Sequence, residues 1–432
     1  MLEAARAADR LGNVALMADA LCLNRRTVMT ADSPEQGNPP KIELLERALA
    51  RSGDDPSLRA RLAGTLAHEF LYTGDVERRA AFIALARRDL ERVADPIERW
   101  QMGTPLRMAT ALNNDRQEWQ QLDDEFALVA KAAETSGDDY EFGLALVGLF
   151  YSSLALGRPS RDEVLARLDP VLARYPHPFL WDVAMPLWII AALVDGRTAD
   201  AETLADVLER ESRQHDNVRE MQVYVSSARV EATRERSGLE PVIEFLKAMP
   251  LRPSDRSKPT AIPGITALAL AEAGRMQEAR AMIDEVCANG FRDVLDDAAL
   301  AVVECTWAEA AALTGHVAAC EALYERMVPR SNQHALTGGW YLGSMARYLG
   351  LFASVLGRPG EAEEWFRQAE VDHIAMRTPP WLARGRLDWA EALCRRGEVG
   401  RSEELARQAL IAIGDLDLGA SRSRAEKLLV TP

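Results

Sequence analysis

The residues best suited to bind a ligand are arginines that stand beside tryptophans and carboxylates. Trp340, Ser344 and Arg347 follow one another at spacings of four and three, which places them on one face of a helix, and a similar trio follows in the next segment. Guanidinium groups beside exposed aromatic rings recognise anions and peptides. We therefore expect a binding surface in a groove, although an ordinary wet groove with an Arg–Asp pair is the alternative. The candidate residues are Trp340, Ser344, Arg347, Trp381, Arg384, Asp388, Arg229 and Glu309.

The sequence contains none of the short motifs that identify common active sites. It lacks GxxxxGK[ST], GxGxxG after a strand, HExxH and GxSxG. Its histidines are scattered, and no two stand four residues apart, as helical metal ligands would. We predict no catalytic residue, no metal site and no cofactor. A pair of carboxylates facing each other across a groove stays open, because spacing alone does not exclude it.

Composition and charge exclude several classes of protein. The 432 residues carry a formal net charge of −15, and they show no basic stripe that could attract nucleic acid against that field. Five cysteines without a CxxC pair indicate buried reduced thiols rather than disulfides or zinc ligands. No apolar run reaches the roughly 18 residues that a membrane span needs. We expect a cytoplasmic protein that contacts neither nucleic acid nor membrane.

The candidate residues must be positioned by helices, and the helical pattern is interrupted at regular intervals. In GSMARYLGLFASVLGRPGEAEEWFRQA (343–369), apolar residues recur every three or four positions up to Gly357, and a second such run follows Pro359. Glycine ends a helix in the left-handed conformation, and proline suits the first turn of the next helix. Similar breaks occur at Gly74, Gly157, Gly196, Gly238, Gly274, Gly315, Gly357 and Gly397. They stand 36 to 42 residues apart, apart from a first interval of 83, which Asn114 divides into 40 and 43.

This period of about 40 residues predicts an all-α fold, a right-handed α-solenoid of stacked antiparallel helix hairpins like those of tetratricopeptide repeats. We expect one continuous solenoid with repeats over 1–250 and 265–432. Between them, 251–264 forms a proline-rich link that is either a hinge or a plain surface loop. Four other links, near 51, 93, 135 and 377, carry Gly, Asp or Pro and should cap the helices that follow.

Counting back from each turn glycine separates packing residues from candidate binding residues. Trp188, Trp307 and Trp389 each stand eight positions before a turn and small residues stand seven before it, so we expect both sets in the core. Replacing one such tryptophan with alanine should cost about 3–5 kcal/mol. Arg347 falls on the remaining face of a helix predicted over 340–356. There, alanine should change stability by no more than about 0.5 kcal/mol.

Three stretches carry a resemblance to a known family: GDDPSLRARLAGTLAHEFLYTGDVERRAAFIALA, GSMARYLGLFASVLGRPGEAEEWFRQA and RTPPWLARGRLDWAEALCRRGE. They resemble the C-terminal tetratricopeptide-like solenoid of bacterial signalling ATPases of the STAND class. Those proteins couple an ATPase core and a helical array to an adenylate or guanylate cyclase domain or to a LuxR-type helix-turn-helix. The resemblance implies that the array binds a partner and controls a linked or neighbouring output domain. The family's ATPase, cyclase and DNA-reading motifs are missing here, so no catalytic residue carries over.

Three functions stay open from the sequence. The first is a non-catalytic helical-repeat sensor or scaffold, the regulatory part of a signalling ATPase or transcriptional regulator, which binds a protein, a peptide or a small effector in its concave groove. The second is a free-standing adaptor for protein–protein interaction, and the third is an enzyme with its site hidden in the concavity. The first residues, MLEAARAADRLGNVALMADAL, read as an interior repeat. We therefore expect that either a preceding domain or an external partner covers that end.

Overall fold

The computed structural model describes residues 1–22, 39–71, 75–110, 116–214, 218–248, 261–291, 294, 300–337 and 339–430. Within these ranges the chain is helical apart from one short β-hairpin, as the all-α prediction requires. The helices are α1 (Leu2–Arg10), α2 (Val14–Cys22), α3 (Pro39–Arg51), α4 (Pro56–Leu71), α5 (Val76–Leu90), α6 (Pro96–Thr110), α7 (Arg116–Ser136), α8 (Asp139–Ala155), α9 (Arg161–Arg174), α10 (Pro178–Val194), α11 (Thr198–Gln214), α12 (Val218–Ser237), α13 (Ile243–Ala248), α14 (Ala261–Glu272), α15 (Met276–Ala288), α16 (Leu300–Thr314), α17 (Val317–Met327), α18 (Met345–Val355), α19 (Pro359–Met376), α20 (Pro379–Arg395), α21 (Val399–Ile413) and α22 (Gly419–Val430). Strands β1 (His334–Thr337) and β2 (Trp340–Ser344) pair antiparallel, with a register shift between Ala335 and Leu336.

The described residues divide into two compact units. Unit 1 contains those of 1–113 and 124–145, and unit 2 contains those of 114–123, 146–250 and 260–432. Unit 1 has a core of its own, in which Met17, Leu21, Leu45 and Leu62 are fully buried. Residues 251–260 of the predicted proline-rich link lie outside the described residues, and residues 261–264 are not a loop but the first turn of α14.

The predicted helix breaks are confirmed wherever the structure describes them. Gly157, Gly196, Gly238, Gly274, Gly315, Gly357 and Gly397 all have positive φ, between +63° and +82°. Each follows one of the even-numbered helices from α8 to α20. After six of them, the next N–H caps the helix by donating to the carbonyl five residues back, as Arg358 does to Ala353 at 2.9 Å. The breaks predicted at Gly74 and Asn114 lie outside the described residues.

The four predicted links also precede helices. They lead into α4, α6, α8 and α20. Before the first three of these helices, an aspartate accepts a hydrogen bond from the N–H three residues on, as an N-cap does. The bonds are Leu58 N–H to Asp55 at 3.1 Å, Glu98 N–H to Asp95 at 2.7 Å and Glu141 N–H to Asp138 at 3.1 Å.

In unit 2 the helices pack mainly on near neighbours in the chain. For example, α16 contacts α14, α17 and α18, and α20 contacts α18, α21 and α22. Sequence-distant contacts complete the unit, because α12 also packs against α22 and β2, and α10 against α20. Helices that are early and late in unit 2 therefore meet each other.

The predicted helix over 340–356 is wrong at its start, because α18 begins only at Met345. Gly343 has φ of +83°, which a right-handed helix does not admit, and a Cβ there would lie 2.7 Å from the His373 ring. Ser344 then caps α18, since its Oγ accepts from the N–H of Ala346. Trp340 and Ser344 thus belong to a strand and a helix cap, and they do not continue the face of Arg347.

The residues placed in the core by counting back from the turn glycines are largely buried, as predicted. Trp307 and Trp389 are 4% and 8% exposed, and each packs against a phenylalanine ring. Trp188 is only half-buried. The small residues predicted seven positions before the turns are all buried: Ala67, Ala267, Ala308, Gly350 and Ala390.

Candidate functional site

One face of α20 carries four charged residues. Arg384, Asp388, Glu391 and Arg395 stand at spacings of four, three and four, which align them along one side of the helix. All four line a cavity in unit 2. The other walls come mainly from α12, α14, α16, α18 and α22. The α20 stripe is therefore one wall of a partly open cavity, whose exposed end carries Arg395.

Arg347 of α18 lies at the centre of the charges around this cavity. Its Nε donates to Asp388 at 2.6 Å, and its Nη1 donates to Glu309 of α16. The three side chains are 2%, 5% and 5% exposed. The expectation that they form an exposed binding face is wrong, because neighbouring helices cover them. Charges this deeply buried persist only when they are paired and hydrogen-bonded.

Arg384 connects helices that are far apart in sequence. Its Nη2 donates to Glu231 and also pairs with Glu235, both of α12. Ser421 of α22 donates to the second oxygen of Glu235 at 3.1 Å. These contacts span 153 and 186 residues of chain. They hold α12 against α20 and α22.

Two further arginines complete the set. Arg234 of α12 donates to Glu309 and, at 2.7 Å, to Glu272 of α14. Arg424 of α22 donates to Asp388 at 2.9 Å and to Glu391 at 2.8 Å. We call the following ten residues the arginine–carboxylate network: Arg234, Arg347, Arg384, Arg424, Glu231, Glu235, Glu272, Glu309, Asp388 and Glu391.

The network holds Glu309 and Arg347 in their charged forms. Burial alone would raise the pKa of Glu309, but Arg234, Arg347 and Arg384 together lower it well below its usual value. Burial would likewise lower the pKa of Arg347, whereas Asp388 and Glu309 keep it above its usual value. At neutral pH the centre of the network therefore consists of paired ions.

The cavity beside the network has a volume of about 650 Å³, within the range of small-molecule sites. Its basic wall residues are Arg234, Arg236, Arg347, Arg384, Arg395, Arg424 and Lys427, and its acidic ones are Glu235, Glu272, Glu309, Asp388 and Glu391. Seven positive against five negative charges leave an excess of two, whereas the whole chain has a net charge of −15. Glu231 lies behind Arg384 and is not a wall residue of this cavity.

Four of the eight predicted binding residues lie at this cavity and four do not. Glu309, Arg347, Arg384 and Asp388 line it. Of the others, Trp381 is 1% exposed and packs edge-on against Tyr341, and half-buried Trp340 donates from Nε1 to the carbonyl of Ser227. Arg229 pairs on a more exposed surface with Asp206 and Glu209. The predicted exposure of Trp381 as a ligand-facing aromatic is therefore wrong, whereas Trp340 keeps part of its surface exposed.

Ser344, the eighth candidate, lies with an aspartate and a histidine, but not as a nucleophile. Its Oγ donates to Asp372 at 2.5 Å, while its backbone N–H donates to His373 Nε2 at 3.0 Å. His373 Nε2 is thereby engaged as an acceptor, and the serine proton points to the carboxylate instead. Ser344 and His373 are 0% and 1% exposed. This trio fixes the start of α18.

The sequence analysis missed six of the ten network residues: Arg234, Arg424, Glu231, Glu235, Glu272 and Glu391. One signal could have indicated a buried network. In LAVVECTWAEAAALT, the sequence of α16, Glu304 and Glu309 are the only charged residues. A carboxylate in so apolar a helix requires a buried cation, and both have arginine partners in the structure. The identity of those partners depends on tertiary contacts that this local pattern does not contain.

The described residues offer no metal-binding group and no membrane-spanning helix. There, no group of three or more His, Cys, Asp or Glu side chains could hold a metal ion. In the same part of the chain, no helix combines the length and apolarity that crossing a bilayer requires. All five cysteines are free, and Cys22, Cys305 and Cys320 are buried, whereas Cys287 and Cys394 are half-buried.

The comparisons with known proteins identify no relative of this chain. No protein-family model matches it. No curated protein matches it at a significant level. The resemblance to the helical arrays of STAND-class ATPases therefore stays a prediction from the sequence.

Proposed function

We propose that this protein is a non-catalytic sensor with a tetratricopeptide-like solenoid fold, and that it binds a small effector in the cavity of unit 2. The observation that carries the proposal is a cavity of about 650 Å³ lined by charged side chains, of which Arg347 and Arg384 are themselves buried. Burying such charges is costly, and each must be compensated by a carboxylate. A binding site accounts for this cost better than a purely structural core does, because apolar residues would stabilise a core equally well.

Two observations support the solenoid part of the proposal. Positive-φ glycines end every even-numbered helix from α8 to α20, at intervals of 36 to 42 residues. In unit 2, helices pack on the next helix and on the one after it, as stacked helix pairs would. The right-handed course and the antiparallel hairpins belong to the proposal.

The network suggests how binding could be sensed. Glu235 of α12 contacts both Arg384 of α20 and Ser421 of α22, and all three line the cavity. A ligand that contacts all three helices favours the arrangement in which they are closed together, because it binds that arrangement better than an open one. Binding of a ligand in the cavity would then change how α12, α20 and α22 pack against one another.

The wider role follows from the sequence resemblance. We place the chain in the cytoplasm, as the regulatory part of a bacterial signalling ATPase or transcriptional regulator, with an ATPase, cyclase or helix-turn-helix as the linked or neighbouring output domain. A small effector is favoured over a protein or peptide partner, because the charged groups that would recognise it lie inside the unit. Genes adjacent to this one should encode such an output domain.

A blocked cavity tests the binding function. Ser423 is exposed on α22 and lines the cavity, so Ser423→Trp should obstruct it without disturbing the core, and Ser423→Ala is the matched control. A library of small metabolites is screened for compounds that raise the melting temperature, because a ligand of the native state stabilises it. We expect stabilising compounds to act on the wild type and on Ser423→Ala, and to lose their effect on Ser423→Trp. Compounds that stabilise all three proteins equally would contradict the proposal.

A further inference from the structure

Two buried polar atoms of the cavity wall lack a hydrogen bond within the described chain: Nη1 of Arg384, and Oε1 of Glu235, which is already in ionic contact with Arg384. Arg384 is 3% exposed, and its Nη1 has no hydrogen-bond partner among the described residues, although its Nη2 contacts Glu231 and Glu235. Arg395 lines the cavity at the exposed end of the α20 stripe and pairs with no carboxylate in the described chain. A buried donor left without a partner costs free energy. Both groups are therefore ready to receive an acceptor.

The acceptors of the same wall are already used. Each of its five carboxylates contacts an arginine: Glu235 with Arg384, Glu272 with Arg234, Glu309 with Arg234 and Arg347, Asp388 with Arg347 and Arg424, and Glu391 with Arg424. A cationic ligand would have to compete with these arginines. An anionic ligand would meet the donors that have no partner.

The two donor groups lie far apart along the same helix face. Arg384 and Arg395 are eleven residues apart, which corresponds to about 16 Å along α20 at 1.5 Å per residue. A single acidic group therefore cannot reach both side chains. Apolar side chains also line the cavity, among them Leu351 and Val355 of α18 and Leu313 of α16. Leu313 is 44% exposed, so it leaves apolar surface uncovered.

We propose that the effector is an elongated aliphatic dicarboxylate, with one carboxylate at Arg384, the other at Arg395 and its chain against Leu351 and Val355. This inference rests on the proposed binding function of the cavity. A carboxylate suits the inner end better than a phosphate, because Glu231 and Glu235 flank Arg384 and repel a doubly charged group more strongly. The guanidinium fork also matches the planar geometry of a carboxylate.

Isothermal titration calorimetry with a series of straight-chain dicarboxylates, from succinate to dodecanedioate, tests the inference. We expect affinity to rise with chain length to an optimum, where the second carboxylate reaches Arg395. At that length, the monocarboxylate should bind about tenfold more weakly, since one charge-assisted hydrogen-bonded contact is lost. The diamine of the same length should not bind. A dicarboxylate that binds no better than its monocarboxylate would overturn the inference.

The variant Arg395→Gln identifies the outer contact. Arg395 is exposed, so the variant should fold normally, and it should weaken the optimal dicarboxylate about tenfold while leaving the monocarboxylate unchanged. The control is Arg396→Gln, which removes the same charge at the next position, where the side chain pairs with Glu363 and Glu398 outside the cavity. Equal affinities for the dicarboxylate in both variants would overturn the assignment of Arg395.

The failures of the two proposals are distinguishable. If no dicarboxylate binds but compounds of another class lose their stabilising effect in Ser423→Trp, the cavity is a binding site and the dicarboxylate inference is wrong. If dicarboxylates bind equally well to Ser423→Trp and to Ser423→Ala, they bind outside the cavity and the dicarboxylate inference is wrong. If, in addition, no compound of the screen distinguishes these two variants, the proposed binding function is wrong as well.

Discussion

Two arginine–carboxylate clusters of unit 2 contain the same chemical groups in different surroundings. In the first, the side chains of Arg347, Glu309 and Asp388 are 2%, 5% and 5% exposed. In the second, the side chain of Arg229 is 43% exposed, and that of its partner Asp206 is 68% exposed. Water and salt screen the second cluster, whereas neighbouring helices exclude water from the first. The difference shows that the burial of an ion pair, more than its chemistry, decides what it does for the fold.

The two clusters also connect different sets of helices. Arg229 connects α12 to α11, its neighbour in the chain. Arg347 connects α18 to α16 and α20, and the network around it extends to α12 and α22. Removing Arg347 from the first cluster takes one of two arginine partners from each of two buried carboxylates, since Glu309 keeps Arg234 and Asp388 keeps Arg424. Removing Arg229 returns its partners to water.

The largest expected effect comes from breaking the buried cluster. Arg347→Ala should lower the free energy of unfolding by about 3–5 kcal/mol, because Glu309 and Asp388 each lose a charged partner in a buried site. Urea denaturation followed by tryptophan fluorescence measures it. The expectation of about 0.5 kcal/mol, drawn from the sequence for an exposed residue, would hold only if the cluster were solvated. A loss of less than about 1 kcal/mol would therefore remove the contrast between the two clusters.

A second effect follows from the buried histidines beside α18. Burial lowers the pKa of His334 to about 4, and burial also holds the pKa of His373 well below its usual value. Both are neutral in the folded state, so below pH 6.5, the ordinary value, the unfolded state binds protons that the folded state does not. Stability is complete above that pH and should fall by about 1.4 kcal/mol per pH unit for each histidine as the pH drops towards 4.

The slope of stability against pH is the measurement for this effect. Urea denaturation at several pH values should give a flatter slope for His334→Gln than for the wild type between pH 6.5 and 4. Parallel slopes in the two proteins would show that His334 does not contribute. The slope is informative even if the variant is less stable at neutral pH.

A smaller effect tests a purely local feature. Gly357 has φ of +70° and has no atom within 4 Å of the position where a Cβ would lie. Gly357→Val should lower the free energy of unfolding by more than about 1 kcal/mol through backbone strain alone. Gly360→Ala is the control, because that helical glycine also has open space around it and lacks positive φ. Thermal unfolding should show a loss for the first and none for the second.

The smallest effect is expected for the exposed cluster. Arg229→Ala should change the free energy of unfolding by no more than about 0.5 kcal/mol, since screened ion pairs contribute little. Measured under the same conditions as Arg347→Ala, it provides the matched comparison. Equal losses in the two variants would contradict the assignment of one cluster to the interior and the other to the surface.

The sequence predicts the turns well, because the cause of each turn is local. A glycine that ends a helix needs positive φ wherever the helix lies, so Gly196 or Gly397 can be identified from a few neighbouring residues. The hairpin before α18 also had a local signal, the pair Gly338-Gly339 between apolar residues. The three- and four-residue spacing of Trp340, Ser344 and Arg347 favoured a helix instead and led away from the hairpin.

The candidate site was only partly predictable, for a physical reason. The spacing of Arg384 and Asp388 on α20 indicates a common face, and that face does line the cavity. Whether a face meets water or another helix depends on contacts between distant parts of the chain. Glu231 lies 153 residues before Arg384. A local pattern therefore predicts which side chains lie together but not that they are buried.

A double-mutant cycle between Glu231 and Arg384 tests most directly whether buried charges hold α12 against α20 beside the cavity. The free energy of unfolding is measured for the wild type, Glu231→Gln, Arg384→Met and the double variant. We predict a coupling energy of at least about 1.5 kcal/mol, as for other closely paired charges in excluded-water sites. If the losses in free energy of unfolding of the two single variants sum to that of the double variant within about 0.5 kcal/mol, the two residues do not interact. That result would contradict the claim that buried ion pairs hold α12 against α20.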